Sequence, residues 1–148
     1  MKKKLIVLGV TVLMVALAVG ILQAQKPAAR SKKMVVYASA SSADFKASPA
    51  KGVSEAALWG DMGKGAHATF TKFDPGYDAG THTHTADISI VVIKGAYLYK
   101  DDAGEKRVGP GDYLFVPGGH KHWSGGDKTE GAVFYEEGSG KFDTIPAK

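Results

Sequence analysis

The chain has 148 residues, room for one ordinary domain, and carries 19 Lys and Arg against 15 Asp and Glu for a formal charge of +4. Three of those lysines are Lys2, Lys3 and Lys4; without them 16 basic residues face 15 acidic ones, interspersed along the chain, so no basic stripe offers itself to nucleic acid. There is no cysteine, which excludes disulfides, thiolate metal ligands and a lipid anchor carried on a cysteine.

The basic start is followed by a charge-free run, 5–22, and then by Leu22-Gln23-Ala24-Gln25 with a small residue at a plausible cleavage point. Basic, apolar, small is the order of a secretory signal peptide, so residues 1–24 are expected to be one. The run also approaches bilayer-spanning length, and an uncleaved N-terminal anchor is the alternative. In both cases the domain is expected outside the cytoplasm, periplasmic or secreted, with membrane contact only through this segment. Residues 25–33 (QKPAARSKK) are polar, contain Pro, and read as a flexible linker to a domain covering 34–148.

From there the periodicity is that of strands. Short β-rich runs predict strands at 34–38, 57–59, 67–73, 81–85, 88–93, 96–99, 113–116, 122–124 and 132–135. Strong breakers separate them, among them Asp74-Pro75-Gly76, Gly109-Pro110-Gly111 and Pro117-Gly118-Gly119. The segment 39–51, rich in Ser and Ala, reads as a loop with room for one helical turn. Many short strands with regular turns point to an antiparallel sandwich or barrel. The aromatic residues Trp59, Trp123, Phe70, Phe73, Tyr97, Tyr99, Phe115 and Phe134 are expected mostly in the core or pocket wall. Asp101-Asp102 and Asp127-Lys128 read as hairpin tips in water.

Two strings carry chemistry. In a strand, side chains at i and i+2 share a face, so His82 and His84 project together and form a chelating pair for a first-row metal. Pro117-Gly118-Gly119 is a rigid turn that delivers His120 and His122 to the start of another strand. Read alone, His82-Thr83-His84 is equally a solvated strand face. No Ser–His–Asp arrangement, phosphate loop or carboxylate pair is visible.

Taken together the strings resemble the two motifs of the cupin superfamily. The first motif is Gly, five residues, His-x-His, three or four residues, Glu, six residues, Gly; Gly76, His82, His84 and Gly95 stand at the matching positions. The second is Gly, five residues, Pro-x-Gly, two residues, His, matched by Gly111, Pro117, Gly119 and His122. The resemblance implies an all-β cupin double-stranded β-helix, a jelly-roll barrel, with a metal in its mouth held by His82, His84 and His122. The motif's Glu has no counterpart: Ile88 stands in its place. Asp87 is adjacent, and joins the ligands only if a bulge re-aims it. Some cupins, such as those similar to cysteine dioxygenase, use three His alone, and three neutral ligands suit Zn or Fe.

LWGD (58–61), HTHTAD (82–87) and GKFD (140–143) further resemble an uncharacterised cupin group related to the ChrR-type anti-sigma cupin, RmlC-like in fold. His120 is expected as a mouth-lining residue more than a ligand, and His67 as a polar strand residue. Tyr97 and Tyr99 share a face and are candidates for the pocket. The function implied is a metal-binding cupin of unassigned activity with a small-molecule ligand or substrate. A metal-dependent dioxygenase and a non-catalytic sensor or structural module are the alternatives, and the family suggests a homodimer.

Overall fold

Alternation of apolar and polar residues, the signature of a half-buried strand, runs through most of the chain after residue 52. A computed structural model describes residues 35–148. The expected signal peptide (1–24), the linker (25–33) and Met34 lie outside the described residues. Residues 35–148 form one compact unit of eleven strands with no helix among them.

One sheet has six strands: β1 (Lys46–Ala47), β2 (Val53–Gly60), β3 (His67–Phe73), β10 (Ala132–Gly138), β5 (Ile88–Gly95) and β8 (Tyr113–Val116), neighbours in that order. The other has five: β11 (Ile145–Pro146), β4 (Asp78–Thr83), β9 (His122–Gly126), β6 (Tyr97–Asp101) and β7 (Gly104–Val108). Every pairing is antiparallel. This is the all-β, two-sheet jelly roll that the motifs implied.

The inner face of the larger sheet changes character along its strands. Across β2, β3 and β10, Val53 lies opposite Phe73 and Phe73 opposite Ala132; one step on, Glu55 faces Thr71 and Thr71 faces Phe134. A further step brings Glu136 beside Thr69 and Ile90. Phe73, Tyr97 and Phe134 pack at centroid distances of 4.9–5.5 Å and, with Ile88, Ile90 and Val92, form the apolar core. The β-branched residues of β5 suit this surface because their stiff side chains pack well on a pleated sheet. The interior is thus oily at one end and polar towards the other.

Glycine sets two of the corners. Gly95 has φ +70°, and a Cβ there would run into the Gly131 carbonyl, so β5 turns into β6 only without a side chain. Gly119 has φ +78° and closes the turn that launches β9.

Several expectations are corrected. Residues 35–38 form no strand and are exposed, Tyr37 by 91%; no strand among the described residues pairs with them. The stretch 39–51 holds a turn and the short β1 in place of a helical turn. β2 begins four residues before the expected 57, its alternation broken by a bulge between Ala57 and Trp59. β4 runs over Asp78–Thr83, leaving His84 and Thr85 beyond its end. β7 and β11 went unpredicted because the first is charged and the second is two residues long. Trp59 and Phe115 lie on the outer face of the sheet, 45% and 49% exposed, since alternation turns them away from the interior.

Candidate metal centre

β4 and β9 are neighbours, and their register makes His82 and His122 Cα partners. His84, two residues after His82, falls on the same side. The three rings converge, with centroids 4.4 Å apart for His82 and His122, 4.8 Å for His82 and His84, and 5.3 Å for His84 and His122. All three residues are buried, and one ring nitrogen from each lies within 4.8 Å of the others.

The backbone decides which nitrogen that is. Nδ1 of His82 donates to the Gly80 carbonyl at 2.9 Å, that of His84 to the Asp143 carbonyl at 2.6 Å, and that of His122 to the His120 carbonyl at 3.0 Å. A carbonyl only accepts, so each Nδ1 carries a proton and Nε2 is the nitrogen of each ring left for another partner. Nε2 of His122 is fully buried with no hydrogen-bond partner among the described residues. An orphaned buried acceptor is costly unless something else meets it. Burial holds His84 below the usual imidazole value and His122 at about 4, so both rings stay neutral near pH 7. Three imidazoles, each anchored through Nδ1 with Nε2 left over, are a donor set suited to a first-row divalent cation. The residues fit a metal.

A segment from near the C-terminus straps the site. Asp143 holds His84 through its carbonyl and clamps Thr85 with its carboxylate, accepting from the Thr85 backbone N–H at 2.8 Å and from its hydroxyl at 2.6 Å. Phe142 packs on the His84 ring at 5.2 Å, and its own N–H donates to the Met62 carbonyl. The 82–87 and 140–143 strings thus meet in space, with Met62, the residue after the 58–61 string, beside them. On the other side, the Gly119 N–H donates to the His84 carbonyl at 2.7 Å, tying the turn before β9 to the end of β4. The Tyr99 ring stacks on His122 at 5.4 Å, nearly parallel.

Asp87 does not join this cluster. It is exposed, and its carboxylate accepts the Gly118 N–H at 2.8 Å, so it caps the Pro117-Gly118-Gly119 turn. No bulge re-aims it, because Ile88 opens β5 in regular alternation with its side chain inward. His120 lies at the rim, its Nε2 donating to Asp101 at 3.1 Å, where the Tyr99 hydroxyl also donates at 2.9 Å. Asp101 is therefore a hydrogen-bonded hub as well as a hairpin tip. Tyr97 is buried in the pocket wall. His67, expected as an ordinary polar strand residue, is 1% exposed; its Nδ1 donates to the Gly65 and Gly140 carbonyls, leaving Nε2 orphaned.

Beside His82 and His84 a cavity of about 80 Å³ opens between the sheets. Its apolar wall includes Val53, Phe73, Tyr77 and Phe142, and its polar residues include Glu55, Thr71 and Glu136. Glu55 and Glu136 are the carboxylate pair that the sequence did not disclose. They lie on strands eighty residues apart, each paired with β3, and no local spacing marks them. Glu136 is 6% exposed; burial first, and the Glu55 charge second, push its carboxyl up to about 8. His67 Nε2 lies 4.0 Å from its carboxyl oxygen.

An all-β barrel of two antiparallel sheets with three histidines gathered between them has the cupin fold, and the solved structures agree. The polyketide cyclase RemF from Streptomyces resistomycificus superposes with a TM-score of 0.64 at 18% identity, covering 78% of this chain and 87% of that one. An RmlC-like cupin from Shewanella frigidimarina gives 0.55 at 19% identity over 70% and 89% of the two chains. Salicylate 1,2-dioxygenase from Pseudoaminobacter salicylatoxidans gives 0.54 at 16% identity over 67% of this chain and 30% of its own. At such identities the likeness is one of fold. The chain belongs to the DUF4437 family, a domain of unknown function, whose model matches residues 45–148. No curated protein matches it.

Proposed function

We propose that this protein is an exported cupin that holds one divalent transition metal, zinc or iron, through Nε2 of His82, His84 and His122, and receives a small molecule in the adjoining pocket. The observation that carries the reading is the common tautomer of the three rings, each pinned by a carbonyl at Nδ1, with a buried and unpartnered Nε2 on His122. When bound, such an ion supplies a Lewis acid that polarises an oxygen of a bound molecule. The chain's own residues do the rest. Gly80, His120 and Asp143 orient the rings, Phe142 and Tyr99 restrict water on two sides, and the apolar wall selects a compact organic guest. Elemental analysis of the purified protein beside a His82→Ala/His84→Ala variant tests the assignment: one metal per chain against none is expected, and equal metal in the two would overturn it.

Within this reading, dioxygenase chemistry is favoured over a purely structural metal by the pocket, because a stabilising metal needs no cavity beside it. The test is oxygen uptake by the iron-loaded protein with a panel of small phenols and diketones. Export rests on the order of the first 24 residues, basic then apolar then small, and N-terminal sequencing of protein recovered from the cell envelope checks it: a chain starting at Gln25 is expected.

A further inference from the structure

Glu136 is anomalous for a structural residue. A buried carboxyl is normally paired with a cation or held by two or three donors. Glu136 has neither among the described residues: Glu55 and Tyr97 are near it, and His67 lies at 4.0 Å, a separation too long for a direct hydrogen bond. Its place is built nonetheless. It projects from the centre of β10 into the pocket, between Thr69 on β3 and Ile90 on β5. The ring of His67 is admitted beside it only because Gly138, its cross-strand partner, has no side chain; a Cβ there would collide with the ring. His67 in turn has its Nδ1 proton committed to two carbonyls, so Nε2 is the nitrogen turned towards Glu136.

The pocket also excludes whole classes of ligand. No Lys or Arg lines it among the described residues, so no side chain of its wall pairs with a carboxylate or phosphate. A cation would require Glu136 ionised, whereas burial keeps it protonated near neutral pH. What remains is a neutral molecule with a hydroxyl to donate. The wall contributes Phe73, Tyr77, Tyr97 and Phe142, which suit a flat ring.

We propose that Glu136 is the ligand-gripping residue of this pocket, accepting the hydroxyl of a neutral, ring-sized phenol or enol. The inference deepens the small-molecule part of the function proposed above and rests on it.

The experiment uses the full chain in zinc-loaded and metal-free forms, titrated calorimetrically with phenol and, as charged comparators, with benzoate and benzylamine. Phenol is expected to bind both forms, and both comparators more weakly. Glu136→Leu should weaken phenol binding about tenfold, the loss of one net hydrogen bond. It should leave zinc content unchanged and the Tm at or above that of the parent, because it removes an unpaired buried polar group. Glu136→Gln keeps the shape and an acceptor oxygen, and should hold phenol within about threefold of the parent. It serves equally if the leucine variant does not fold. Equal phenol affinity in the leucine variant, a glutamine variant that loses phenol more than threefold, benzoate or benzylamine as tight as phenol, no phenol binding at all, or a leucine variant that folds but melts well below the parent would each overturn the proposal. A chain that takes up no zinc yet binds phenol through Glu136 would sink the metal reading and leave this one standing.

Discussion

His82 and His122 face each other across β4 and β9 as Cα partners, their ring centroids 4.4 Å apart. Forty residues of chain separate them, yet the antiparallel register makes the pair as fixed as His82 and His84, which are neighbours by sequence. The third ligand is therefore held by sheet hydrogen bonds, and the site should behave as one unit. Replacing His122 by Ala removes one of three donors, and metal affinity should fall by about 100-fold or more, beyond what loss of an orienting partner does elsewhere. Competition against a chelator of known affinity measures it, and an unchanged affinity would exclude His122.

Metal should stabilise the fold. The described strands bury the three ligands between two sheets, and binding to the folded chain alone adds about 2.7 kcal/mol when free metal exceeds Kd a hundredfold. For a domain of this size that raises the Tm by about 10 °C. Calorimetric scans with zinc and with EDTA give the answer; identical melting curves would show that no metal binds the native state.

Asp143 orients the site from outside it. Asp143→Ala keeps the carbonyl that receives His84 Nδ1 but releases Thr85 from the carboxylate clamp. Metal affinity should drop about tenfold, the range for an orienting group, while the stoichiometry stays at one. Asp87→Ala is the control. It frees the Gly118 N–H, costing a little stability, and should leave metal affinity unchanged because Asp87 caps a turn.

Glu136 ties stability to pH. Its carboxyl is pushed from the ordinary 4.5 up to about 8 by burial, so the folded state holds the proton more tightly than the unfolded chain. The parent is then at full stability below pH 4.5 and loses it progressively as pH rises towards 8, by on the order of 5 kcal/mol. Glu136→Gln lacks this proton. Denaturation curves of the two should therefore diverge between pH 4.5 and 8, with the glutamine variant becoming relatively more stable as pH rises. Parallel profiles would show that Glu136 is ionised in the fold at ordinary cost.

Much of the site was legible before any coordinates. His82-Thr83-His84 and the Pro117-Gly118-Gly119 turn before His122 are local patterns, and local geometry suffices to read them. β3 and β8 are expected and found over the same residues because breakers mark the ends of each β-rich run. The runs that misled were equally local: 35–38 looks like a strand but pairs with none among the described residues, and Phe115 looks like core but points outward.

By itself the sequence determined an all-β chain, its turns, and the three histidines with Ile88 where the motif has Glu. Only the tertiary structure decided that Asp87 caps a turn, that Asp143 reaches back to His84, and that Glu55, Glu136 and His67 share the interior. The reason is physical. A period of two and a positive-φ glycine are properties of a few neighbouring residues, whereas Glu136 meets His67 only through a register set by β3 and β10 pairing along their length.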